Sequence, residues 1–171
     1  MDNINGYKES KIILNNELFI ITLYDTIDEN KVENILYVYV KNDFMSKINN
    51  FTLINNYNEE FIKALENIYN AFDKLNNKIS IIYDISKLTN VFPPTILWKI
   101  GKFFSKKKTI TNKILYCTCV ITSSESVNNL IQTFINIYDN IKPINLCTSK
   151  SVSLEFIKLE IIKYNNIINE L

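Results

Sequence analysis

The chain contains no histidine and no arginine, and it has only two glycines and three prolines. Without histidine there is no Ser-His-Asp triad, no Cys-His dyad, no imidazole metal ligand and no imidazole pH switch. Without arginine there is no arginine finger and no bidentate guanidinium clamp on phosphate or guanine. Gly6 and Gly101 cannot by themselves build a Walker A loop or a GxGxxG turn. Most common enzyme chemistries are thereby removed. Composition alone does not say what the protein does, and neither a cofactor nor a metal is expected.

What remains is an ordinary globular composition. The 171 residues are 47% hydrophobic and carry 19 lysines against 18 acids, for a net charge of +1. That length fits one domain with a sizeable core. The near-neutral balance gives no field to draw in nucleic acid or an anionic membrane surface, so neither is expected as a partner. The abundance of Asn, Ile, Lys, Tyr and Phe reads as the output of an AT-rich genome, and runs such as Asn49-Asn50 mark loops. The polar first residues, 1–10, do not look like a secretory leader, and no apolar run is long enough to span a membrane. Three cysteines, an odd number, suit a reducing compartment with the thiols in the core. A cytoplasmic location is expected.

The β-branched and aromatic run from Glu17 to Tyr24 predicts a strand, and Ile35–Val40 predicts a second, antiparallel to it. Phe51–Ile54 reads as an apolar island suited to a short extra strand. From Glu59, apolar residues at Phe61, Leu65, Ile68 and Phe72 recur at helical spacing. Ile79–Tyr83 is continuously apolar, the pattern of a central strand buried on both faces. A helix is predicted from Pro94 to about Lys108, with Lys106, Lys107 and Lys108 at its negative end. Then follow a strand at Lys113–Ile121, a helix opening at Ser123/Ser124, a strand at Pro143–Cys147, and a last helix capped by Thr148, Ser149 or Ser151. This alternation predicts an α/β fold: a single-domain mixed β-sheet with helices packed on it. We place an N-terminal segment at residues 1–15 and one domain over 16–171.

The strand-end run Ile81-Ile82-Tyr83-Asp84-Ile85-Ser86-Lys87-Leu88-Thr89, taken with this element order, resembles the STAS domain of SpoIIAA-like anti-sigma-factor antagonists, a group related to the CRAL-TRIO lipid-binding domain. The resemblance implies a non-catalytic module that works by protein–protein contact. Laid out from Asp84, the family's phosphoacceptor serine falls on Pro93, the preceding aspartate on Phe92 and the later glycine on Thr95. The usual phosphoacceptor is thus missing, and Thr95 is the nearest hydroxyl at the helix start. The partner surface implied is Asp84, Ser86, Phe92, Thr95 and Trp98. The CRAL-TRIO relationship implies the alternative, a carrier of a small apolar ligand such as a lipid.

Several residues carry competing readings. Cys117 and Cys119 share a face of one strand and, with Cys147, present three thiols; buried small hydrophobes explain them more simply than a metal site. Asp84 suits a turn, accepting backbone N–H groups. Trp98 falls outside the Leu97/Ile100/Gly101/Phe104 stripe of its helix, next to Lys102, and reads either as an interface anchor or as packing under the preceding loop with Phe92. The last helix has one stripe at Leu154, Ile157, Ile161, Tyr164 and Ile168. A second, at Val152, Phe156 and Leu159, faces away from it. One stripe suffices to dock a helix on a sheet, so the second predicts an oligomer interface, with a homodimer or a self-assembling structural protein as the outcome. The alternative is that residues from Tyr7 to Leu14 fold over it.

Overall fold

A computed structural model describes residues 7–26, 33–41, 51–88, 94–137 and 142–169. Among the described residues six strands form one sheet in the sequential order β1-β2-β3-β4-β5-β6. They are β1 (Tyr7–Asn15), β2 (Phe19–Thr26), β3 (Asn34–Val40), β4 (Ile79–Asp84), β5 (Leu115–Ile121) and β6 (Ile144–Cys147). β2 runs antiparallel to both β1 and β3, and β4 to β6 continue in parallel from β3. Among the described residues there are five helices: α1 (Phe51–Leu75), α2 (Pro94–Lys106), α3 (Lys108–Ile114), α4 (Glu125–Ile137) and α5 (Lys150–Asn169). The expected mixed α/β sheet in a single domain is what the chain forms.

The strand order decides where the helices go. Each parallel crossover from β3 to β6 steps one strand in the same direction. Right-handed crossovers therefore all fall on the same face of the sheet. That face packs Leu36, Val38, Ile79, Ile81 and Val120 against Phe61, Leu65, Phe72, Phe103, Val127 and Ile131 of α1, α2 and α4. The helix after β6 is not a crossover, and it lies on the opposite face. There Leu154, Ile157 and Ile161 of α5 cover Ile82, Cys117, Cys119 and Cys147. β4 sits between the two layers, with Ile79, Ile81 and Ile82 fully buried. Each such isoleucine contributes about 1.5–3 kcal/mol of burial.

Beyond shifts of one or two residues at strand ends, four boundaries differ from the sequence reading. Tyr7–Asn15, placed ahead of the domain, is the edge strand of the same sheet, so residue 16 begins no separate unit. Its lysines and its two bulges hide the alternation that marks a strand. Phe51–Ile54 is the first turn of α1 and not a strand; the helix begins eight residues before Glu59. Asn58, buried on the apolar stripe one turn before Phe61 and Ile62, breaks the hydrophobic period there. The helix predicted from Pro94 to Lys108 ends at Lys106, and α3 follows after Lys107. α3 takes Lys113 and Ile114, so β5 starts at Leu115.

The lysine run also has a use beyond the helix dipole. Lys107 reaches Glu66 at 3.3 Å and Asn70 at 3.3 Å on α1. Lys113 reaches Asp73 at 2.8 Å. These contacts tie α2 and α3 to α1 across the surface of the helical layer. The predicted caps are in place: Ser124 Oγ accepts the Val127 N–H at 3.5 Å, and Ser149 Oγ accepts the Val152 N–H at 3.3 Å.

Burial pushes the Tyr69 hydroxyl above its ordinary pKa of 10, against a smaller opposing effect of Thr111, and pushes Tyr83 well above that value. A raised folded-state pKa means that the folded protein holds these protons more tightly than the unfolded chain does. Their contribution is present in full below pH 10 and is lost as pH rises above it. One pH unit above that point the two tyrosines together cost about 3 kcal/mol. Stability should therefore fall from about pH 10 upward, and the last tyrosinate absorbance, from the buried hydroxyls, should rise only together with loss of the far-UV dichroism. Early, gradual ionisation of all the tyrosines without unfolding would contradict the packing.

Candidate functional site

Between the sheet and the helical layer lies a cavity of about 250 Å³. Its floor is the inner face of β2 to β5, through Phe19, Val38, Val40, Tyr83 and Val120. Phe61 of α1 enters from one side, stacked on Phe19 with ring centroids 4.7 Å apart. Ile100, Gly101 and Phe104 of α2 form the opposite wall, and Ile131 and Phe134 of α4 a further one. Exposed Ser105 and Lys108 also border it, so the cavity reaches solvent at the junction of α2 and α3.

The wall is set by packing just outside it. Tyr69 of α1 meets Phe103 edge-on at 5.1 Å and Phe104 at 6.2 Å, and the two phenylalanines are 5.5 Å apart. This aromatic cluster holds α2 at a fixed distance from the sheet. Gly101, buried in the middle of α2, then leaves space where any side chain would project. Glycine inside a helix costs about 1 kcal/mol relative to alanine. The chain accepts that cost at one of its two glycines, at the edge of the cavity.

The polar side chains beside the cavity are hydroxyls and two lysines, Lys108 and Lys142. Tyr83 lends its ring to the wall while its hydroxyl is enclosed. The Tyr69 and Thr111 hydroxyls face each other nearby. The Tyr83 hydroxyl completes no hydrogen bond among the described residues. Lys142 borders the cavity through its stem, and its ammonium lies 5.5 Å from the Tyr164 ring centroid on α5. Burial and the neighbouring Lys78 lower the Lys142 pKa. The described lining residues include no carboxylate and no thiol. Such a site can enclose an apolar group and offer hydroxyl contacts to a polar atom.

The residues singled out from the sequence are distributed over three places. Asp84 and Ser86 close the carboxyl end of β4. One carboxylate oxygen of Asp84 accepts the Tyr37 hydroxyl, and the other accepts the Ser86 N–H at 3.1 Å and the Ser86 hydroxyl at 2.6 Å. The Ser86 carbonyl accepts Ser123 Oγ at 2.7 Å, and Lys150 Nζ sits 4.2 Å over the Tyr37 ring. Burial, and then the hydrogen bond to Asp84, raise the Tyr37 pKa. The hydrogen bonds of this corner knit β3, β4 and β5 together. Phe92 lies outside the described residues, and Thr95 is placed only as the second residue of α2. Trp98 is 56% exposed, with Lys102 Nζ 4.8 Å over its ring. Val152 and Leu159 are exposed on α5, on the other face of the sheet, and Phe156 is half-buried there. The three cysteines are free and buried under α5.

The chain matches no protein-family model, no curated protein and no solved structure.

Gly101→Ala tests the geometry of the wall. It gains about 1 kcal/mol of helix propensity, and its methyl group enters empty space. The thermal midpoint should rise by about 2–4 °C. A fall would mean that the helix already touches the sheet at this point.

Proposed function

We propose that the protein is a non-catalytic binding domain for a small apolar molecule held in the cavity between the sheet and α1 to α4. The observation that carries this reading is the empty volume maintained beside Gly101. A tightly packed domain leaves few voids larger than a water molecule. A dry apolar cavity of about 150 Å³ binds benzene, so by proportion this one suits a ligand of about ten non-hydrogen atoms. The lining favours binding over turnover, because the described wall is mainly apolar and offers neither a carboxylate nor a thiol. The unpartnered Tyr83 hydroxyl favours a ligand with one hydrogen-bonding atom over a pure hydrocarbon.

A second reading is docking to another protein, in the manner of the STAS-like domains that the β4 signature resembles. It is supported by the exposed Trp98, a residue type that often anchors interfaces. The two readings use different parts of α2: Gly101 and Phe104 border the cavity, whereas Trp98 faces solvent.

Calorimetric titration with 1-octanol tests the first reading. Saturable binding is expected, weakened at least tenfold in Gly101→Leu, whose side chain occupies the cavity, and unchanged in Trp98→Ala. Native mass spectrometry of the purified protein should show a co-purified apolar ligand in the wild type and not in Gly101→Leu. Absence of saturable binding, or equal binding by Gly101→Leu, would overturn the proposal.

A further inference from the structure

The outward face of α5 carries a pattern that the cavity does not explain. Leu154, Ile157 and Ile161 are buried against β5 and β6. On the opposite side, Val152, Glu155, Leu159, Ile162 and Asn166 recur at alternating spacings of three and four, forming a seam along the helix. Leu159 is 52% exposed and Ile162 56%. Docking on the sheet uses none of these side chains. Four exposed apolar residues on one helix, Val152, Leu159, Ile162 and Ile167, point to a covered face.

The seam is complementary to its own reverse. Reflection through Leu159 places Glu155 against Lys163, Phe156 against Ile162, and Val152 against Asn166. In an antiparallel pair each of these layers joins a residue from one side of the seam to a residue from the other, as facing helices require. The central layer is then Leu159 against Leu159. In a parallel pair in register, Glu155 would face Glu155 and Lys163 would face Lys163, and like charges repel. We propose that α5 is an isologous, antiparallel contact between two copies of this chain, with the two-fold axis passing at Leu159.

The energetics are consistent with a dissociable dimer. A helix of 20 residues is about 30 Å long, and a single face of it lies at the low end of specific interfaces. Lys163 is held by Glu160 on its own helix at 2.5 Å. Lys163 is itself exposed, so its ion pair with Glu160 is weak and does not prevent exchange to Glu155 of the second copy. This contact is independent of the ligand reading, because the cavity lies on the other face of the sheet.

Sedimentation velocity of the full chain over a range of concentrations tests the proposal. The wild type should pass from monomer to dimer with a dissociation constant in about the micromolar range. Leu159→Glu should raise that constant at least about 100-fold, since it sets two carboxylates face to face across the axis. Glu155→Lys should weaken the dimer about tenfold, and the double variant Glu155→Lys, Lys163→Glu should recover most of the loss. All the substituted positions are exposed, so far-UV dichroism and thermal midpoint should stay at wild-type values. A wild type that is monomeric at every concentration overturns the proposal. A dimer indifferent to Leu159→Glu, or a double variant no better than Glu155→Lys, overturns it equally.

Discussion

The structure depends on the handedness of its crossovers acting on a sheet whose strands are in sequential order. Because each parallel connection from β3 to β6 moves the same way, α1 to α4 must all lie over the same face. Among the described residues several helices crowd that face, and a single helix, α5, lies over β5 and β6 on the other. Both features argued to matter follow from this imbalance. Fitting α1, α2, α3 and α4 over one sheet leaves a gap where α2 stands off at Gly101. Covering the second face with one helix leaves the outer side of that helix in solvent.

β4 holds the two layers together. Its isoleucines are buried on both faces, and its last residue, Asp84, satisfies Tyr37 from β3 and the turn at Ser86. The Asp84–Ser86 run drew attention in the sequence because it resembles a family signature. In the folded chain its hydrogen-bonding capacity is spent on closing the end of the sheet. Breaking that set would leave buried polar groups unpaired, which costs more than the bonds are worth in isolation.

Elements whose packing is uniform along their length were legible in the sequence. β2, β3, β4 and the helices at Glu125 and Lys150 appear close to where their periodicity and capping residues put them. The edge strand β1 was not, because lysines and bulges on an exposed edge erase the alternation. The start of α1 was missed because Asn58 sits buried in the middle of an apolar stripe. For the site, the sequence marked Trp98 as lying off the buried stripe, and it is exposed. It placed Gly101 in that stripe without distinguishing it from its neighbours. The available signal was a glycine inside a helix, in a chain that uses glycine twice. The other walls, Phe61, Phe134 and Val120, come from separate elements, and only the sheet order brings them together.

The most direct test of the account is a methyl-resolved NMR titration of the whole chain with benzene, a probe small enough for the cavity. Saturable shifts should appear at Val38, Val120, Ile100 and Ile131, which border the gap, and be absent from Leu154, Ile157 and Ile161 beneath α5. Shifts centred on the α5 side, or no saturable shift at all, would show that the helical face is closed and that the account is wrong.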